Sequence, residues 1–244
     1  MLRSSKVQKT FCDVIILSAD TAAGEYYLDT RASGMGQTSR NPKHNIAAGW
    51  GDRYYPQDPW RMAKRRIFSS NSRDINDWPM LREMLVPDDV EANLDDEFYG
   101  LVRFRVGDLH LAFVDVFHTT HNTKDFYLLY SRDGYSWDWV SRGQPFIDRS
   151  PEGGWDCYMV EVCNRPLFLD DEIRVYYGGA SVHHDWWMYG EKEGLDVPEA
   201  RAGWNGGETA LGLAVLRPEG FVSIDSTIRE GLLITRPFVS DGGQ

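Results

Sequence analysis

The tripeptide Ser-Arg-Asp occurs twice, each time with a Trp four residues beyond the Asp. The copies are Ser72-Arg73-Asp74-Ile75-Asn76-Asp77-Trp78 and Ser131-Arg132-Asp133-Gly134-Tyr135-Ser136-Trp137, and their Asp residues are 59 positions apart (133 − 74). A motif repeated at such an interval constrains architecture more than a single site does, because it implies that one supersecondary unit recurs along the chain.

The surrounding pattern extends the repeat. Short runs of β-branched and aromatic residues alternate with Gly, Asp, Asn and Pro, and long helical periodicity is nearly absent, which predicts an all-β protein. The hairpin Gly107-Asp108-Leu109-His110-Leu111-Ala112-Phe113 matches Asp171-Glu172-Ile173-Arg174-Val175-Tyr176-Tyr177, with a weaker third copy at Gly24-Glu25-Tyr26-Tyr27-Leu28. Each copy is followed by an insertion of variable length, a strand and a turn. Two of those turns are the Ser-Arg-Asp motifs, and Leu216-Arg217-Pro218-Glu219-Gly220-Phe221 is a degenerate third. One unit therefore reads strand, turn, strand, insertion, strand, turn, strand. Four antiparallel strands in about 60 residues make a propeller blade. The expected units run over about residues 11–90, 91–150 and 151–225 of one domain, with 226–244 a terminal strand or the start of a following β-sandwich. In the motif, the Asp accepts bonds from turn amides and the Trp packs between sheets, a structural role. Met159–Phe168 and Phe221–Ile224 are expected as single strands. The insertions 29–64 and 181–208 are expected as aromatic-rich loops that wall a cleft or cover an interface.

The chain has 244 residues, 42% hydrophobic, with a net charge of −11. That charge opposes binding to nucleic acid or to an anionic membrane. No apolar run approaches a membrane-spanning length. Three Cys in no metal-binding spacing, and no signal-peptide core, lead to the expectation of a cytoplasmic protein with reduced thiols. There is no Gly-rich phosphate loop and no Gly-x-Ser-x-Gly elbow.

Ser131-Arg132-Asp133-Gly134-x-x-Trp137, then Trp155-Asp156, then Asp171-Glu172-x-x-Val175-Tyr176-Tyr177-Gly178-Gly179 resembles the five-bladed β-propeller glycoside hydrolases of families 32 and 43 and their relatives. The segment from Ala210-Leu211-Gly212 to Gly220-Phe221-Val222-Ser223 is similar to the end of the propeller in that group. The resemblance covers about residues 66–238. It implies a carbohydrate substrate and three acids at the axial end of the propeller, on the first strands of successive blades. Measured back from the acid that opens each hairpin, Asp13, Asp96 and Glu161 fall in equivalent places, eleven or twelve residues upstream. The expectation is acid-assisted glycosidic hydrolysis, with Glu161 the general acid, Asp96 a positioning carboxylate and Asp13 the nucleophile or base. Asp95, Glu97 and Asp156 compete for these roles. Substrate-binding candidates are Trp155, Asp156, His118, Arg103 and Trp186.

Three units fall short of five blades, so the propeller is expected to be incomplete in this chain or completed by a partner copy, a homo-oligomer. No cofactor is expected; Ca²⁺ in the central channel is implied by the resemblance alone. His183-His184-Asp185 does not suit a metal, because neighbours on an extended chain point apart. Two rival functions remain open: a non-catalytic carbohydrate-binding or assembly propeller, and a sialidase-like hydrolase. The latter needs an Arg cluster, for which Arg103 and Arg105 are candidates.

Overall fold

The computed structural model describes residues 14–33, 65–87, 93, 95–224, 232 and 234. The described chain is mostly strand. The first sheet has the order β1-β2-β3-β4: β1 (Ile15–Asp20), β2 (Glu25–Ser33), β3 (Arg65–Ser72) and β4 (Arg82–Leu85). A second antiparallel ladder follows with β5 (Asp96–Val106), β6 (Leu109–His118), β7 (Thr123–Ser131) and the short β8 (Asp138–Trp139). A third contains β9 (Met159–Val162), β10 (Leu167–Phe168), β11 (Ile173–Ala180) and β12 (Thr209–Leu216), with β11 central. The second and third ladders form one eight-stranded sheet through a single parallel pairing, Lys124 opposite Met159.

The middle ladder is covered on both faces, which is why its strands read as almost continuous apolar runs. One face packs Phe98, Leu101, Ala112, Val114, Val116, Tyr127 and Leu129 against Ile67 of β3. The other packs Val102, Phe104, Leu111, Phe113, Phe126 and Leu128 against Val160, Val162 and Val175 of the third ladder. Alternate residues of one strand thus serve two cores.

The Ser-Arg-Asp motifs begin at the last residues of β3 and β7, the third strands of the first two ladders. Asp133 Oδ1 accepts from the amides of Tyr135 (2.8 Å) and Ser136 (2.7 Å). Asp74 Oδ1 accepts from the Asn76 amide at 2.9 Å. Trp78 packs on Leu28, Phe68 and Leu81, and Trp137 on the core between the first two sheets. The degenerate turn after β12 closes with Gly220 N donating to Arg217 O at 3.0 Å.

Some expectations need correcting. The run 159–168 is two strands, β9 and β10, because Pro166 supplies no amide to a ladder. Residues 221–224 form no strand. The second insertion is not wholly loop: it carries α1 (Trp186–Glu193), capped by left-handed Gly194 at φ 70°, and α2 (Pro198–Ala202), with Pro at its start.

A buried, two-pronged ion pair helps tie the first sheet to the second. Arg103 of β5 makes a two-pronged contact with Asp29 of β2 (2.8 and 2.7 Å), and also donates to Gly134 O at 2.8 Å and Ser69 Oγ at 2.6 Å. Both partners are buried. Replacing Arg103 with Met leaves the Asp29 carboxylate buried and uncompensated, and is expected to cost about 3–5 kcal/mol of unfolding free energy. Urea denaturation checks this; a loss no larger than that of an exposed pair would contradict it.

Candidate active site

A polar cluster forms where the starts of β3, β5 and β7 meet the end of β2 and the short strand β9. Register places Glu97 beside Phe117, and Phe117 beside Lys124. Three cations surround the ring of Tyr99: Lys124 Nζ lies 3.6 Å from its centroid, the Arg31 guanidinium 3.9 Å and the Arg65 guanidinium 5.4 Å. Arg65 donates to Glu97 Oε2 at 2.5 Å. The Tyr99 hydroxyl meets His184 Nε2 at 2.9 Å. His184 Nδ1 lies 2.7 Å from an Asp185 oxygen, off its hydrogen-bonding direction. The 183–185 segment is fastened to the turn before β7, with His184 N donating to Asn122 O (2.9 Å) and Asp185 N to Asn122 Oδ1 (2.5 Å).

Lys124 is the centre of this cluster. It is 1% exposed and ion-paired with Glu161, whose side chain is 42% exposed. Burial draws the Lys124 ammonium down toward neutrality, against the opposing pull of Asp115. Burial likewise raises the Asp115 carboxyl, and Lys124 and a bond from Val162 N (3.2 Å) only partly offset it. Burial would raise the Asp185 carboxyl too, but His184, Arg65 and Arg31 outweigh it and hold the group low. Burial thus moves Lys124 and Asp115 each toward the neutral form, beside the half-exposed Glu161 carboxyl.

The sequence candidates distribute as follows. Asp13 lies outside the described residues. Glu161 sits in the cluster. Asp96 lies on the opposite face of β5 from Glu97, where its Oδ1 meets His118 Nδ1 at 2.7 Å. His118 Nε2 meets Asp125 Oδ2 at 3.1 Å, and Arg149 donates to Asp125 Oδ1 at 2.8 Å. Both His118 nitrogens are therefore committed to carboxylates. Arg103 and Arg105 are likewise bound within the protein, to Asp29 and Asp20. Trp155 stacks on Tyr177 at 5.8 Å, and Asp156 accepts from the Tyr177 hydroxyl at 3.3 Å. A Cβ at Gly179 would come within 2.4 Å of the Trp155 ring, so this packing requires glycine. Trp186 stacks on His183. Among the described residues, no group of three or more His, Cys, Asp or Glu side chains is placed to hold a metal ion.

The sequence reading missed Arg31, Arg65, Tyr99, Asp115, Lys124 and His184. Two of them carried a signal: Asp115 and Lys124 are charges inside or beside otherwise apolar strands, a position charged residues rarely occupy unless paired.

Burial would lower the His118 imidazolium, but Asp125 and Asp96 outweigh it and hold its value up to about 9. A value raised in the folded state stabilises fully below the ordinary 6.5 and loses that contribution as pH rises through 9. Thermal melts should show wild type losing stability from pH 7 to 10, and His118→Gln losing less. Parallel curves would contradict the bridge.

No protein-family model matches the sequence, and no curated protein does. The model superposes on a family 117 glycoside hydrolase from the marine bacterium Zobellia galactanivorans with a TM-score of 0.50 at 13% identity. That match covers 82% of this chain and 50% of that one. The fold is that of the propeller glycoside hydrolases. Weaker matches include an N-acetylgalactosamine deacetylase from F. plautii in complex with blood group B trisaccharide (TM-score 0.48, 12% identity, 85% of this chain and 50% of that one). A Bombyx mori family 32 β-fructofuranosidase also matches (0.44, 15%, 89% and 36%). The chain spans half or less of the length of these structures.

Proposed function

We propose that the chain is the core of a glycoside hydrolase that binds a saccharide at the Tyr99–Lys124–Glu161 cluster and cleaves a glycosidic bond there. The strand groups β1–β4, β5–β8 and β9–β12 are taken as three blades of a five-bladed propeller, the remainder supplied by further chain or by a second copy. The observation that carries the reading is the half-exposed Glu161 carboxylate held by the fully buried Lys124. A buried ammonium gives up its proton more readily than an exposed one. Transfer of that proton from Lys124 to Glu161 leaves a neutral amine and a carboxylic acid, and the acid can then protonate the departing glycosidic oxygen. Glu97, which strand alternation turns toward the cluster, is assigned the positioning role in place of Asp96, whose carboxylate faces His118 on the other side of β5, and Asp13 is assigned that of nucleophile or base. Trp155 and Asp156 are assigned to the saccharide.

The test is a panel of aryl glycosides with wild type and Glu161→Gln. Release of the aryl group by wild type and its loss in the variant support the reading; equal rates remove Glu161 as the acid. One observation favours the non-catalytic carbohydrate-binding alternative: the bonding partner of Glu161 among the described residues is a cation, not a second carboxyl. Saccharide binding without turnover would select it.

A further inference from the structure

We propose that a hollow on the other side of β7 from Lys124 is a second binding site, for a neutral polyhydroxy group: a saccharide ring or a free polyol. Thr123 and Lys124 are neighbours on a strand and point to opposite faces. His183 and His184 divide in the same way, His184 toward Tyr99 and His183 into this hollow. The hollow has a volume of about 370 Å³ and is lined by His121, Thr123, Arg149, Tyr158, His183 and Trp186. That is the size of a small-molecule site.

Its polar groups are built for a ligand. Thr123 is 4% exposed, and its hydroxyl has no hydrogen-bond partner among the described residues. A buried hydroxyl without a partner is costly and calls for one. The His183 ring is clamped between Tyr158 and Trp186, with centroids 3.7 and 3.8 Å away. Its Nδ1 is bonded to the buried Glu199, a contact that assigns the proton to Nδ1 and leaves the Nε2 lone pair as an acceptor. Burial holds the imidazole toward its neutral form, although Glu199 opposes this.

The charged groups beside the hollow are already engaged. Arg149 pairs with Asp125 and donates to Cys157 O at 3.3 Å, and the Glu199 carboxylate accepts from the ring and the amide of His183. The site therefore offers donors and an acceptor and no unengaged charge. A ligand hydroxyl can donate to His183 Nε2 while another group accepts from Thr123, which a carboxylate cannot do.

The proposal does not depend on hydrolysis. The test titrates the full chain with d-glucose, xylitol and potassium acetate by ligand-observed NMR, using wild type, Thr123→Val and Glu161→Gln. Wild type should bind glucose or xylitol, and the one that binds separates ring from open polyol. Thr123→Val should weaken that binding by about tenfold, the value of one hydrogen bond, while melting at or above the wild-type temperature. The binding that Thr123→Val weakens should persist in Glu161→Gln, so that it is separable from saccharide binding at the Glu161 cluster. Absence of polyol binding to both probes, unchanged binding by Thr123→Val, or tighter binding of acetate would each overturn the proposal.

Discussion

Replacing Lys124 with Met is expected to destabilise the protein by about 3–5 kcal/mol, the cost of leaving the buried Asp115 carboxylate without the nearby cation that offsets its charge. Met fills the volume of the lysine stem, so the loss reports charge rather than a cavity. It strips the compensating cation from Asp115, which is fully buried and already displaced upward by burial. The sign of the pH dependence follows. An acid whose folded value is raised is favoured in its protonated form, so the variant's deficit should be smallest in mild acid and grow as pH rises past the ordinary carboxylate range. Asp115→Asn in the same background should restore much of the loss, because Asn retains an acceptor for Val162 N and carries no charge. A coupling of about 2 kcal/mol or more in the double-mutant cycle is expected. Additive losses would show that Lys124 and Asp115 are energetically independent, and the proton path from Lys124 to Glu161 would lose its basis.

The fold was legible in the sequence wherever its determinants are local. The Ser-Arg-Asp turns, the hairpins at Gly24 and Gly107 (φ 65° and 57°) and the apolar runs of β6 and β7 each depend on residues a few positions apart. The two helices were not legible, because α1 is eight residues long and α2 five, too short for a periodic signal. The candidate site was harder for a different reason. Its cations come from β2, β3 and β7 and converge on a tyrosine of β5, a meeting set by sheet packing alone. The choice between Asp96 and Glu97 shows the limit of spacing arguments. They are adjacent, so alternation sends one toward His118 and the other toward Arg65. A register shift between Phe98 and Gly100 follows immediately. An interval counted back from a hairpin cannot resolve a one-residue step, and that step reverses the face.

The second large effect concerns chemistry. If Glu161 protonates the leaving oxygen, Glu161→Gln should lower kcat by about 100- to 10,000-fold on a substrate whose leaving group needs a proton, since that is the usual contribution of a general acid. The loss should shrink on an activated glycoside such as a dinitrophenyl glycoside, because a stable leaving anion departs without assistance. KM should change little, because Gln keeps the size and the hydrogen-bonding oxygen of Glu. A purely structural Glu161 would depress both substrates alike.

The most direct measurement is therefore the ratio of wild-type to Glu161→Gln rates on an alkyl glycoside compared with the same ratio on its dinitrophenyl counterpart. The account predicts a ratio at least about tenfold larger for the alkyl glycoside, as general-acid catalysis requires. Equal ratios, or turnover of neither substrate by wild type, would contradict it.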